Sequence, residues 1–108
     1  MLLLLYFSKI YMNKFKNITA QEAKDLLTKN NYLIDIRDEG SYSASHIDGA
    51  INLGNLDIHE FIRTAEKDTP TIIYCYKGIS SQNAAAFLVS EGFTEVYSVE
   101  GGYELWPK

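Results

Sequence analysis

The chain reads as one α/β domain built in layers on a mainly parallel sheet. Three observations predict it. Short apolar runs rich in β-branched residues alternate with segments of helical period. One of those runs, "TIIYC", is apolar at consecutive positions, the pattern of a strand covered on both faces. The length of 108 residues, with 46% apolar and 22% charged, suits a single core of modest size.

The elements follow in order. "NIT" is a short extended piece. Thr19 stands three residues before Glu22, the S/T-x-x-E capping box that satisfies free N–H groups at a helix start. The spacing predicts a helix over 20–29 with Ala23, Leu26 and Leu27 on one face, ended by the asparagines at 30 and 31. "YLIDI" (32–36) and "GAINL" (49–53) read as strands. The stretch between them, "RDEGSYSASHID", reads as a loop with one helical turn. A second helix is expected over 56–67, with Phe61, Ile62 and Ala65 turned inward, before Pro70 breaks the chain. "TIIYC" (71–75) is the third strong strand and carries Cys75 as its last residue. A helix is expected over 80–91, packing through Ala84, Ala85, Phe87 and Leu88, with Gly92 at its C-terminal end. "TEVYSV" is the last strand, and "GGYELW" closes the domain with a short helix.

Residues 1–16 are set apart as a tail and 17–108 as the domain. The opening apolar run, Leu2 to Phe7, is far shorter than the ~20 residues that cross a bilayer. It also lacks the basic flank and small-residue cleavage site of a signal peptide. Met12 offers an alternative start, "MNKFKNITAQEA". Residues 1–11 would then be an over-extended frame or a frayed tail, the other readings being a membrane-surface segment or a helix packed on a partner. The net charge is −4 and the lysines of the N-terminal third are interleaved with apolar and acidic residues, so a nucleic-acid partner is not expected. One cysteine excludes an internal disulfide and a cysteine-rich metal site, and fits a reducing, cytoplasmic compartment. Two isolated histidines, His46 and His59, make no metal site. No metal or cofactor is expected.

The thiol is the candidate centre of the chemistry. Parallel sheets gather ligand-binding loops at the carboxyl ends of their strands, and Cys75 falls there. The residues after it, "YKGIS", must turn the chain into the next helix, and Gly78 permits a backbone conformation that a side chain would hinder. Successive N–H groups in such a turn form an anion-binding nest, and the helix start adds its positive dipole end. A free cysteine titrates near ~8.5; helix N-termini and cations lower it to ~3.5–7.5. The spacing thus points to a nucleophilic sulfur inside the backbone amides of Tyr76, Lys77, Gly78, Ile79 and Ser80. The competing reading is a buried structural cysteine.

"CYKGISS" resembles the active-site loop of the rhodaneses, the thiosulfate sulfurtransferases. "LIDIRDEGSYSASHIDGAINL" resembles the family's N-terminal signature, with Ser45 where a glycine usually precedes the histidine, here His46. "VYSVEGGYELW" is similar to its closing segment of paired glycines and a tryptophan. The likeness covers about residues 17–107. It implies a three-layer, five-stranded parallel sheet in the order 3-2-4-5-1 with helices on both faces. It also implies that Cys75 carries sulfur as a persulfide, taken from a small donor such as thiosulfate and passed to a thiophilic acceptor, in two displacements. A protein acceptor is the alternative, with the domain acting as a carrier or sensor. Having no second cysteine is compatible with either, because nothing nearby resolves the persulfide into an internal disulfide.

The resemblance further implies that Asp35 and Arg37, at the same sheet edge, support the pocket floor by pairing and hydrogen bonding. His46 is expected to anchor its loop and His59 to lie exposed. Lys77 is either a guide for anionic donors or a solvated lysine. Ser80 and Ser81 are expected first as helix N-caps, with a hydroxyl bond to the persulfide as the second reading. Tyr103 and Trp106 are expected to pack in the core, and Tyr76 is open in both directions. Phosphatases of the same fold have an arginine six residues after the cysteine, binding the oxyanion bidentately. Position six here is Ser81, and no arginine follows the loop.

Overall fold

A computed structural model describes residues 14–27 and 30–108; the expectations for the first residues and for a start at Met12 lie outside them. Five strands form one sheet: β1 (Lys16–Ile18), β2 (Tyr32–Asp35), β3 (Ile51–Asn52), β4 (Thr71–Tyr74) and β5 (Val96–Val99). Every pairing is parallel and the order is β1-β5-β4-β2-β3, the expected order read from the other edge. Among the described residues four α-helices, α1 (Ala20–Leu26), α2 (Glu39–Ala44), α3 (Asn55–Thr64) and α4 (Ser80–Ser90), and a closing 3-10 helix (Gly102–Leu105) connect and cover it.

The alternation of side chains along each strand divides the core in two. Leu33, Ile72 and Val99 face one layer, where they meet Ala23 of α1 and Tyr103 of the 3-10 helix. Ile34, Ile73 and Val96 face the other, where they meet Ile58 of α3 and Ala85 and Leu88 of α4. All four residues of β4 are buried, which is why "TIIY" carries no alternation. Burying each such aliphatic side chain contributes ~1.5–3 kcal/mol.

Local chemistry sets the boundaries. The Thr19 hydroxyl accepts from the Glu22 amide at 3.1 Å and the Glu22 carboxylate accepts from the Thr19 amide at 3.0 Å, completing the expected capping box. The helix it opens is shorter than expected, ending at Leu26. The stretch between β2 and β3 holds more helix than one turn. Asp38 caps α2 by accepting from the Ser41 amide at 2.9 Å. Strand β3 keeps only two of its expected five residues, since just Ile51 and Asn52 find partners on the edge of β2. Helix α3 starts at Asn55 and stops at Thr64, with Phe61, Ile62 and Ala65 packed against the second core layer.

Strand β4 ends at Tyr74, so Cys75 is the first residue beyond the sheet and not its last strand residue. That strand lies between β2 and β5, so its carboxyl end is held from both sides. Ile73 is fully buried in it. Replacing Ile73→Ala is expected to lower the unfolding free energy by about 2–5 kcal/mol, measured by urea denaturation, with no change in strand order.

Candidate active site

Two main-chain donors and one hydroxyl converge on Cys75 Sγ. The Gly78 amide reaches it at 3.1 Å and the Ser81 amide at 3.3 Å. The thiol in turn donates to the Ser81 hydroxyl oxygen, 3.3 Å away. The geometry follows from the turn. Gly78 adopts φ +89°, and a Cβ there would come within 2.7 Å of the Gly101 nitrogen, so only glycine lets the loop fold back over its own sulfur. Helix α4 then starts without any side-chain cap: its N-cap is Ile79. The serines expected as caps do not act as such. The Ser81 amide, one of the donors a helix start leaves free, is taken by the thiol sulfur itself.

Ser81, one residue past the expected cradle of 76–80, is therefore part of the site. It is fully buried and its hydroxyl sits 2.8 Å from that of Ser98 on β5, also fully buried. Sequence reasoning placed Ser81 first as a cap and second as a hydroxyl partner of the persulfide, and did not single out Ser98. The available signal was a serine spaced to face back onto the sulfur from the first turn of the helix. Burial pushes the Cys75 thiol up, but the Ser81 hydroxyl and the amides of Ser81, Gly78 and Lys77 outweigh it and hold the group below its ordinary value.

The loop is anchored from outside by the closing segment. The Tyr103 amide donates to the Cys75 carbonyl at 2.8 Å and the Glu104 amide to the Tyr76 carbonyl at 2.9 Å. Gly102 lies flat against these groups, with φ +56° and space for a Cβ only 2.5 Å from the Cys75 carbonyl oxygen. This contact gives the second of the paired glycines its physical reason.

Asp35 and Arg37 meet as a bidentate pair, Arg37 Nη2 lying 2.7 Å from Asp35 Oδ2 with Nε at 3.1 Å from both oxygens. Arg37 Nη2 also donates to the Ser45 carbonyl at 2.6 Å, and its guanidinium covers the Tyr103 ring at 4.2 Å. Hydrogen bonding to Asp35 outweighs burial and holds the Arg37 guanidinium above its usual value. Its side chain is 7% exposed and that of Asp35 0%, so losing either partner would strand a buried charge. The Ser45 hydroxyl, at the position where a glycine was expected, bonds the Tyr103 hydroxyl.

Cys75 is 6% exposed, yet it lines a cavity of about 410 Å³ with Ile36, Arg37, Asp38 and Ser80. The sulfur is sunk but reachable. Tyr76, Lys77 and Ile79 are exposed. His46 Nδ1 is 2.7 Å from the Tyr42 carbonyl and its ring stacks on Tyr42, outside this cavity. His59 is exposed beside Phe87. Tyr103 is buried in the core and Trp106 packs against it. Among the described residues no group of side chains could hold a metal ion, and no helix is long and apolar enough to cross a membrane. A site of this form can hold a sulfur anion on main-chain dipoles and present it to a small molecule.

Two outcomes are expected. Ser81→Ala removes the hydroxyl that partners the sulfur and helps hold the thiol below its ordinary value, so the midpoint of the pH profile for Cys75 alkylation rises and alkylation at neutral pH slows several-fold, followed by intact mass. Gly102→Ala forces a Cβ onto the Cys75 and Tyr76 carbonyls, and is expected to lower the melting temperature and slow Cys75 alkylation together.

Comparison with known proteins agrees with this geometry. The rhodanese-like domain model matches residues 19–108. A thiosulfate sulfurtransferase GlpE of Pseudomonas fluorescens (strain SBW25) is 50% identical over 95 residues, 88% of this chain and 87% of that protein. The protein of the same name from Pseudomonas entomophila (strain L48) is 48% identical over the same shares. Among solved structures, a rhodanese-like domain protein from Staphylococcus aureus superposes with a TM-score of 0.75 at 26% identity, over 86% of this chain and 92% of that one. The chain belongs to the rhodanese-like domain family.

Proposed function

We propose that this chain is a sulfurtransferase that carries a sulfane sulfur on Cys75, from thiosulfate or a similar donor to a thiophilic acceptor. The observation that carries the reading is the convergence of the Gly78 and Ser81 amides and the Ser81 hydroxyl on the sulfur at the floor of an open cavity. The relatives of nearly full-length overlap, named thiosulfate sulfurtransferases, support the choice of donor.

In the first displacement the Cys75 thiolate attacks the outer sulfur of thiosulfate. A new S–S bond forms, the old one breaks, and sulfite leaves with the electron pair. In the second, an acceptor such as cyanide takes the outer sulfur, giving thiocyanate and the free thiolate. Dividing the transfer in this way replaces one hard step by two easier ones. The thiolate and the persulfide are both anions, so the same fixed dipoles serve both without rearrangement. Gly78, Ser81 and Lys77 supply the main-chain donors; the Tyr76, Ile79 and Ser80 backbone carries them in register. Asp35 and Arg37 support the floor of the pocket and take no part in the bond changes. Lys77, exposed on the loop, puts a positive charge at its rim where an incoming anion would pass. The working domain is 17–108, and the lone free thiol suits the cytoplasm.

A protein acceptor is a second reading, favoured by one observation. Tyr76 is 53% exposed, Ile79 70% and Leu105 67%, on the loop and on the 3-10 helix bonded to it. An apolar rim around a reactive sulfur suits contact with another macromolecule.

The test is thiocyanate formation from thiosulfate and cyanide, with intact mass after thiosulfate alone. The expected result is turnover together with a gain of one sulfur atom on the protein, both abolished in Cys75→Ala. Sulfur gain with negligible turnover would favour delivery to a protein, and turnover that survives in Cys75→Ala would remove the reading.

A further inference from the structure

Ser98 puts a hydroxyl into an apolar layer. It alternates with Val96 along β5 and shares that residue's face, the one that Ile73, Ala85 and Leu88 cover. It is fully buried. Among the described residues its hydroxyl meets one partner, the Ser81 hydroxyl at 2.8 Å. Ser81, also fully buried, is in turn the residue whose hydroxyl the Cys75 thiol meets at 3.3 Å. Sγ, Ser81 Oγ and Ser98 Oγ thus form a chain of three polar atoms. Neither serine lines the cavity in front of the sulfur, so the chain runs into the protein behind it.

Each hydroxyl has one proton to give. With Cys75 as a thiol, the thiol donates to Ser81 Oγ, and the Ser81 proton is left for Ser98 Oγ. With Cys75 as an anion the order must reverse. Ser81 turns its proton to the sulfur, and its 2.8 Å contact with Ser98 then persists only if Ser98 donates. Once the thiol proton has left to solvent, the reversal needs only rotation of two O–H bonds. A hydroxyl that accepts while it donates is polarised, and is the stronger donor.

We propose that Ser98 is a positioning residue for the sulfur transfer: acting through Ser81, its hydroxyl stabilises the Cys75 thiolate and makes Sγ the better leaving group from the persulfide. This rests on the sulfurtransferase reading and adds a residue to its site. The two displacements feel the chain in opposite senses. In the first, the thiolate bonds to the donor sulfur, and a stabilised thiolate is the weaker nucleophile. In the second, the acceptor bonds to the outer sulfur, the S–S bond breaks and the electron pair returns to Sγ. A stabilised thiolate departs faster. Ser98 therefore favours discharge over loading.

The test is a double-mutant cycle on the pH midpoint of Cys75 alkylation, followed by intact mass, with Ser98→Ala, Ser81→Ala and the double variant. Ser98→Ala is expected to raise the midpoint by about 0.2–0.6 of a unit, the strength that one cooperative neighbour adds to a hydrogen bond on a charged group. In the Ser81→Ala background the same change is expected to move nothing, because the link to the sulfur is already cut. Ser98→Thr keeps the hydroxyl and is expected to restore the wild-type midpoint. A thermal melt checks the fold of each variant; in Ser98→Ala the Ser81 hydroxyl keeps the sulfur as its partner, so no buried hydroxyl is stranded. Rapid mixing with thiosulfate, and then with cyanide, separates the two displacements at a pH above every midpoint. Discharge to cyanide is expected to slow by up to about twofold in Ser98→Ala while loading does not slow. An unchanged midpoint in Ser98→Ala overturns the proposal. So does an equal rise in the wild-type and Ser81→Ala backgrounds, the mark of disturbed packing, or an equal slowing of both displacements. If thiosulfate never places sulfur on wild-type Cys75, the sulfurtransferase reading falls and the leaving-group role with it; a flat alkylation cycle in a protein that does load removes Ser98 alone.

Discussion

Two main-chain hydrogen bonds, from the Tyr103 and Glu104 amides to the Cys75 and Tyr76 carbonyls, hold the site in its working form. The chain leaves β4 at Tyr74 and must reverse into α4 within a few residues. With its carbonyls pinned outward to the 3-10 helix, the loop has its N–H groups left to point inward. The sulfur is then the acceptor those groups meet. Gly102 allows the helix to lie close enough to make the pins, and Gly78 allows the loop to close over Sγ. Gly78 meets the sulfur only through its amide and Gly102 not at all, yet the direction of the amide dipoles depends on both.

The sheet supplies the platform for this loop. Strand β4 is paired on both sides and covered on both faces, so the carboxyl end that carries the thiol has little freedom to move. The neighbouring strand end does a different task. Asp35 and Arg37 cancel each other's charge, and Asn52 donates to the carbonyls of both at 2.9 and 2.8 Å. Where a phosphatase would aim an arginine at a transferring phosphoryl group this chain has Ser81, and the guanidinium of Arg37 is spent within the protein. The electrostatics at the sulfur come from peptide groups and a hydroxyl.

Much of this was legible in the residues. The capping box at Thr19, the doubly covered strand "TIIY", the alternation of helix and strand and the position of the thiol at a strand end all follow from local rules. What escaped was settled by partners distant in sequence. The serines after the loop carried the local mark of caps, and only the fold shows that the sulfur occupies the capping position and leaves Ser81's hydroxyl to face it. Ser98 reads as one polar residue in a strand; its neighbour Ser81 lies across the sheet on α4. The six-residue helix after Asp38 depends on a single carboxylate cap, and the brevity of β3 on its place at the sheet edge. Periodicity over so few residues is too weak to fix either.

Before and between the Gly78 and Ser81 amides that meet Sγ, the loop turns its side chains outward. Tyr76, Lys77 and Ile79 are open to solvent while the main chain beneath them is fixed. Reactivity and selectivity are therefore written in separate parts of the same six-residue arc. The outward groups can be exchanged to suit a different cargo or recipient, and the anion underneath keeps the same environment throughout.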